Sequence, residues 1–366
     1  MVRLRADKFF FLLVMLLLAV GFVIFYSASQ SLLGRSSGAG FGLVAIKQFM
    51  ILLVGFVGLI IFSNIPYKHY RTVAFWFFLA TVIFNILVFI PGIGFASGGA
   101  KRWIDLGFLT FQPSELLKLG FVMYAACWLS AERERIQSLL KGILPFLAIV
   151  AVPLVILLKE PDTGTFLVLF AAALGMLLLA GARWKHLLML VIFSIIAILL
   201  LAVWKPYIRD RLETFFDPTK DMQGQSYQIN QALIAVGSGG IFGRGFGQST
   251  QKFNFLPEPI GDSIFAVLCE EFGLLGGSIL IIIYTLFFAW GIKIAMRVSD
   301  QFGRLLAAGL VILISAQAFI NISSMLGIIP LTGVPLTFVS HGGSALIIAL
   351  IEAGIILNIS RHQVRS

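Results

Sequence analysis

The chain has 366 residues, of which 59% are hydrophobic and only 12% charged, and its mean hydropathy is +0.99. A water-soluble domain carries about a quarter charged residues, so this chain cannot cover a water-facing surface and its solvent must be largely lipid. The net charge of +10 does not point to nucleic acid, because the basic residues fall in short segments between apolar runs and form neither a basic helix face nor a basic tail.

The N-terminus opens with Arg3, Arg5 and Lys8, followed by an apolar run to about Tyr26. Ser27-Ala28-Ser29 could pass for a signal-peptidase site, but the run is long enough to span a bilayer and many more follow. It reads as an uncleaved first helix. Runs near the ~20 residues needed to cross a bilayer lie at about 9–28, 44–63, 72–91, 114–131, 141–158, 163–181, 186–204, 264–292, 304–326 and 343–360. They predict an all-α polytopic membrane protein of about ten helices, one membrane domain over 1–366 with no soluble domain and no internal repeat. Backbone in hydrocarbon must satisfy its own hydrogen bonds, which helices do within one segment. A β-barrel would show alternating segments of about ten residues.

Lys and Arg outnumber Asp and Glu in the two termini and in the segments near 64–71, 132–141, 182–185 and 293–304. The positive-inside rule then places both termini in the cytoplasm. Cys127 and Cys269 fall inside apolar runs and indicate neither a disulfide framework nor a metal site. Two outside loops hold most of the polar chemistry. One, about 92–113, contains Lys101-Arg102-Trp103. The other, about 205–261, lies between the seventh and eighth helices and contains the Gly-rich stretch Gly237–Gly247. A loop that long is usually functional. The stretch lacks the Gly-Lys-Ser/Thr of a phosphate-binding loop and the preceding strand of a dinucleotide fold.

Ionisable groups at the membrane boundary are expensive and therefore functional candidates. Asp262 lies where the long loop enters the eighth helix, in the segment that also holds Glu258, Ser263, Glu270 and Glu271. Locally it also reads as an N-cap. Adjacent helical positions differ by about 100°, so Glu270 and Glu271 cannot share a face, and at least one needs a partner inside the protein. Gln112-Pro113-Ser114-Glu115 suits a helix start. Glu115 and Lys118 share a face; either they form a local ion pair or Lys118 offers positive charge to an outside-facing cavity. Lys101 and Arg102 suit an interface anchor or a pyrophosphate headgroup. Arg209, Arg211, Arg244 and Lys252 add positive charge to the long loop. Glu160-Pro161-Asp162 reads as a tight turn. His341 reads as a cap or interfacial residue, and no zinc spacing is present.

The ordered segments AKRWIDLG, QPSELLKL, EPDTGT, GQSYQINQALIAVGSGGIFGRGFGQSTQK, FLPEPIGDSIFAVLCEEFGLLG and PLTGVPLTFVSHGGSAL resemble the shape, elongation, division and sporulation (SEDS) family of RodA, FtsW and SpoVE. The resemblance covers nearly the whole chain and is closer to FtsW-like members. It departs at Ile260-Gly261, where His-Thr is frequent, at His341, usually Tyr, and at Glu160, often Gln.

The resemblance implies ten helices with cytoplasmic ends in the bacterial cytoplasmic membrane. It also implies a glycosyltransferase that polymerises lipid II and releases undecaprenyl pyrophosphate. It matches Asp262 to the family's essential acidic residue, and Glu115, Lys118 and Arg102 to family positions. Asp262, ionised at pH 7 with an ordinary pKa, is expected to act as general base. Lys118, Arg102 and a divalent cation (Mg2+ or Mn2+) are expected to meet the leaving-group charge. Lys101, Arg211, Arg244, Glu258 and Ser263 are the supporting candidates. No organic cofactor and no nucleic acid are expected. The implied partners are a class B penicillin-binding protein and other divisome or elongasome membrane proteins. A lipid II flippase is the main rival, behind which stand a channel and a scaffold. Clustering of the polar groups on one face favours the enzyme.

Overall fold

The computed structural model describes residues 6–34, 39–97, 100–105, 107, 110–132, 135–217 and 224–364; Arg3, Arg5 and part of each polar loop lie outside them. The α-helices are α1 (Lys8–Ser29), α2 (Ala39–Asn64), α3 (Lys68–Ile86), α4 (Pro113–Ala131), α5 (Leu144–Lys159), α6 (Thr163–Ala180), α7 (Trp184–Trp204), α8 (Pro206–Phe216), α9 (Gln225–Ser238), α10 (Ile264–Met296), α11 (Gln301–Met325) and α12 (Gly343–Ser360). Every expected apolar run is helical. Among the described residues, nine helices are long and apolar enough to cross a membrane, and the protein is a multi-pass membrane protein. The tenth expected span, α4, falls short of that apolar average because its first turns carry Ser114, Glu115 and Lys118, all three buried. Protein neighbours rather than lipid surround that end of the helix.

Burial separates the centre of the bundle from its rim. The apolar windows of α11 and α12 are 78% and 83% buried, whereas that of α7 is 11% buried. Large apolar side chains such as Leu200, Val203 and Trp204 are exposed on α7, as a lipid-facing helix requires. Small residues set the closest crossings: a Cβ on Gly354 of α12 would lie 2.6 Å from the Leu59 carbonyl of α2.

Two segments expected as plain loops carry structure. In the first, β1 (Gly94–Ser97), β2 (Ala100–Asp105) and β3 (Thr110–Phe111) form an antiparallel sheet in the order β1-β2-β3. Within 205–261 lie α8 and α9.

α10 is broken at Gly273 (φ 68°, ψ −164°), and the Gly-rich stretch fills the break. Arg244 N and Gly245 N donate to the Glu270 and Glu271 carbonyls at 3.0 and 2.9 Å, while Leu274 N and Leu275 N donate to the Gly240 and Ile241 carbonyls at 2.9 and 3.2 Å. Groups released by the break are satisfied by the loop, the condition for breaking a helix at membrane depth. Glycine is required here, since a Cβ on Gly243 would sit 2.1 Å from the Glu271 carbonyl oxygen.

Candidate active site

Asp262 occupies a tight turn before α10, in which Gly261 N and Ser263 N both donate to the Glu258 carbonyl, at 3.0 and 3.2 Å. The expected N-cap alternative is not realised: Ser263 holds the cap position and no side chain caps the helix. Three contacts anchor the turn from outside. Asn321 of α11 donates from Nδ2 to the Asp262 main-chain oxygen at 2.8 Å, Ser340 Oγ donates to the Gly261 carbonyl at 2.8 Å, and His341 N donates to the Ile260 carbonyl at 2.8 Å.

Two arginines approach this turn from different elements. Arg211 of α8 donates from Nη1 to Thr163 Oγ1 at 2.9 Å and to the Thr332 carbonyl at 3.3 Å. Arg102 of β2 donates from Nε to the Glu160 carbonyl at 2.9 Å and from Nη2 to the Pro161 carbonyl. Gly333 lies between Asp262 and Arg211: a Cβ there would be 3.5 Å from Asp262 Oδ2 and 3.9 Å from Arg211 Nη2. Its missing side chain keeps the space between carboxylate and guanidinium clear. Asp162 caps α6 by accepting from Thr165 N at 3.1 Å and Thr165 Oγ1 at 2.9 Å.

The electrostatics of this cluster differ from the ordinary carboxylate expected at 262. Desolvation, reinforced by Glu258, pushes Asp262 up to about 6, with Arg102 and Arg211 pulling the other way. Such a group is still mostly ionised at pH 7 and is better poised than an ordinary Asp to take a proton there. Burial, and the neighbouring Arg102, push Arg211 below its usual value.

The other expected residues are dispersed. Ser263 is buried and accepts from Gln228 Nε2 of α9 at 3.1 Å. Lys101 is exposed on β2. Lys118 is 2% exposed, pairs with Glu115 at 2.8 Å, and donates to Gln317 Oε1 of α11. The local ion pair is therefore present, and Gln317 ties Lys118 to the segment that carries Gly333, its Nε2 donating to the Pro335 carbonyl at 3.1 Å. Arg244 binds Thr250 Oγ1 at 2.9 Å and lies 3.4 Å from Glu270. Both Glu270 and Glu271 have partners. Glu270 accepts from Thr250 N at 3.0 Å. Glu271 takes Ser27 Oγ at 2.6 Å and the buried Lys252 at 2.8 Å. That network pins the Gly-rich stretch to α1 and α10. His341 places Nδ1 2.8 Å from Gln48 Oε1 and stacks on Phe25.

An apolar cavity of about 580 Å³ opens between α5, α6, α7, α8 and α11, with Leu158, Phe166, Ile198 and Ile320 on its walls and Arg211, Thr163 and Thr332 at its polar end. One arginine thus faces both an apolar channel and the Asp262 turn.

The model of the FtsW, RodA and SpoVE cell cycle proteins matches residues 7–365. Stage V sporulation protein E of Bacillus subtilis is 35% identical over 357 residues, covering 98% of this chain and 97% of that protein. The probable peptidoglycan glycosyltransferase FtsW of Geobacter metallireducens is 36% identical over 359 residues, covering 98% and 96%. A chain from a peptidoglycan synthase complex that coordinates polymerization and crosslinking superposes with a TM-score of 0.81 at 27% identity, covering 98% of each chain. The rod shape determining protein RodA of Thermus thermophilus superposes with a TM-score of 0.69 at 25% identity, covering 99% of each.

Proposed function

The chain belongs to the FtsW, RodA and SpoVE family of cell cycle proteins, and we propose that it is a peptidoglycan glycosyltransferase that polymerises lipid II and releases undecaprenyl pyrophosphate. The observation that carries this reading is a poised carboxylate, Asp262, beside two arginines, one of which also closes the end of an apolar cavity. An inverting transfer from a polyprenyl pyrophosphate needs a base for the acceptor, positive charge for the leaving group, and an apolar channel for the tail.

Asp262 takes the proton from the C4 hydroxyl of the acceptor GlcNAc. That oxygen bonds to the anomeric carbon of the donor MurNAc as the bond to pyrophosphate breaks, converting α to β. General-base help of this kind is typically worth about 10²–10⁴-fold. Arg102 and Arg211 meet the charge that develops on the pyrophosphate. Lys118, fixed by Glu115 and Gln317, supports the 330–341 segment rather than touching substrate. Among the described residues no three His, Cys, Asp or Glu stand close enough to hold a metal. Asp262 and Glu258 are the two carboxylates that would hold a divalent cation together with substrate phosphates, and it would supply further charge to the leaving group. The proton transfer and the arginine contacts stand without it.

This reading places the protein in the bacterial cytoplasmic membrane with both termini inside and the Asp262 turn outside, as the basic segments on the opposite face require. The peptidoglycan synthase complex that the fold resembles supports a class B penicillin-binding protein as partner. Polymerisation of purified lipid II by the detergent-solubilised chain, with and without such a partner, tests the function. Glycan strands are expected. Lipid II crossing vesicle bilayers with no strands formed would favour the flippase.

A further inference from the structure

Glu160 is 1% exposed, and its Oε1 has no hydrogen-bond partner among the described residues. Its main-chain oxygen nevertheless holds Arg102 Nε at 2.9 Å, and the next carbonyl, that of Pro161, holds Nη2. The carboxyl therefore lies beside a site arginine without being bonded to it. The charged groups around it are Arg102 from β2 and Asp162 from the same turn. Tyr207 and Arg211 of α8 share that neighbourhood with Arg102 and Asp162, and Asp262 before α10 feels Arg102, Arg211 and Asp162.

A buried carboxylate without donors is costly, whereas the neutral acid is tolerated. Burial, and behind it Asp162, pushes Glu160 up to about 8, with Arg102 pulling the other way. Near pH 7 the side chain is an uncharged acid, close in shape and charge to glutamine.

We propose that Glu160 is a positioning residue that works as the neutral acid, leaving the Arg102 charge to the substrate pyrophosphate, and that its ionisation draws Arg102 away from that pyrophosphate. The inference rests on the reading of Arg102 as a pyrophosphate ligand. Ionised Glu160 would neutralise Arg102 and add a second negative charge beside Asp162, opposing an anionic substrate twice. Glu160 touches no reacting atom, so its ionisation acts on the reaction only through Arg102, in substrate binding and in the leaving-group charge that Arg102 meets.

The test measures KM and kcat for lipid II across the range from about pH 7 to about pH 9, where Glu160 titrates, in wild type and Glu160→Gln. Wild-type kcat/KM is expected to fall as pH passes about 8, and Glu160→Gln is expected to match wild type near pH 7 and to lack that fall. Affinity for inorganic pyrophosphate, measured by calorimetry over the same range, needs no turnover. There wild type should weaken more steeply than Glu160→Gln. Parallel pH dependence in the two proteins, or a wild-type kcat/KM that stays flat, overturns the inference. If lipid II is not polymerised at any pH, the proposed function fails and the pyrophosphate comparison alone decides the role of Glu160.

Discussion

The Asn321 side-chain amide donates a 2.8 Å hydrogen bond to the main-chain oxygen of Asp262 and a second, also 2.8 Å, to that of Val334. One residue of the most central part of the bundle thus sets the distance between the carboxylate turn and the segment carrying Gly333. Asn321→Ala leaves two carbonyls without their donor, at a cost of about 1–3 kcal/mol for each that is fully buried. A shift of about 1 Å at the reacting carboxylate lowers the rate by about 100-fold. Single-turnover polymerisation, alongside thermal unfolding in detergent, checks that the rate falls further than stability loss explains.

Gly333 has φ +69°, and a Cβ there would reach 3.5 Å from Asp262 Oδ2. Gly333→Ala is therefore strained at the backbone and intrudes between Asp262 and Arg211. We expect at least about a tenfold loss of kcat/KM, the scale of about 1.4 kcal/mol. Gly237→Ala, where nothing lies within 4 Å of the added methyl, should leave it unchanged. Equal effects at the two positions would remove the claim for Gly333.

Lys118 and Glu115 form a buried pair at 2.8 Å. Removing one partner strands a charge and typically costs about 3–5 kcal/mol, while replacing both with apolar residues is often neutral. Lys118→Met should lower the thermal midpoint sharply, and Lys118→Met combined with Glu115→Leu should recover most of it. If activity returns with stability in the double variant, Lys118 acts through structure; persistent loss would give its charge a direct role in catalysis.

Raising Asp262 to about 6 has consequences of opposite sign for activity and stability. The base must be deprotonated, so kcat/KM should climb as pH rises through about 6. Stability runs the other way, because folding favours the protonated form. The destabilisation is absent below the unfolded value, grows between about 4 and about 6, and is fully present above. Asp262→Asn removes it, so this variant should unfold at a higher temperature than wild type at pH 7, by up to about 3 kcal/mol. The two should converge in acid. A variant less stable than wild type at pH 7 would show that the carboxylate gains more from Arg102 and Arg211 than it loses on burial.

The membrane-spanning helices were legible because apolar length is dictated by the bilayer, and Asp262, Arg102 and Arg211 were legible because charge is rare in such a chain. Asn321 and Gly333 were not. Asn321 lies in an apolar run with no local pattern that marks it, and the value of Gly333 is the side chain it lacks. Asp162 and Glu160 read as turn residues, and only tertiary packing sets them beside Arg102. Helices α8 and α9 were hidden inside a loop because short amphipathic segments carry little length signal. The pairing of Arg244 with Glu270 beside the break at Gly273 was not legible either, because sequence spacing does not encode a contact across a loop.

The proposed reaction turns on Asp262 as the base. Glycan-strand formation from purified lipid II, compared between wild type, Asp262→Asn and Asp262→Ala with the partner transpeptidase present and all three equally folded, tests it most directly. Wild type should form strands, and both variants should form them at a rate at least about 100-fold lower. Strands from Asp262→Ala at the wild-type rate would contradict it.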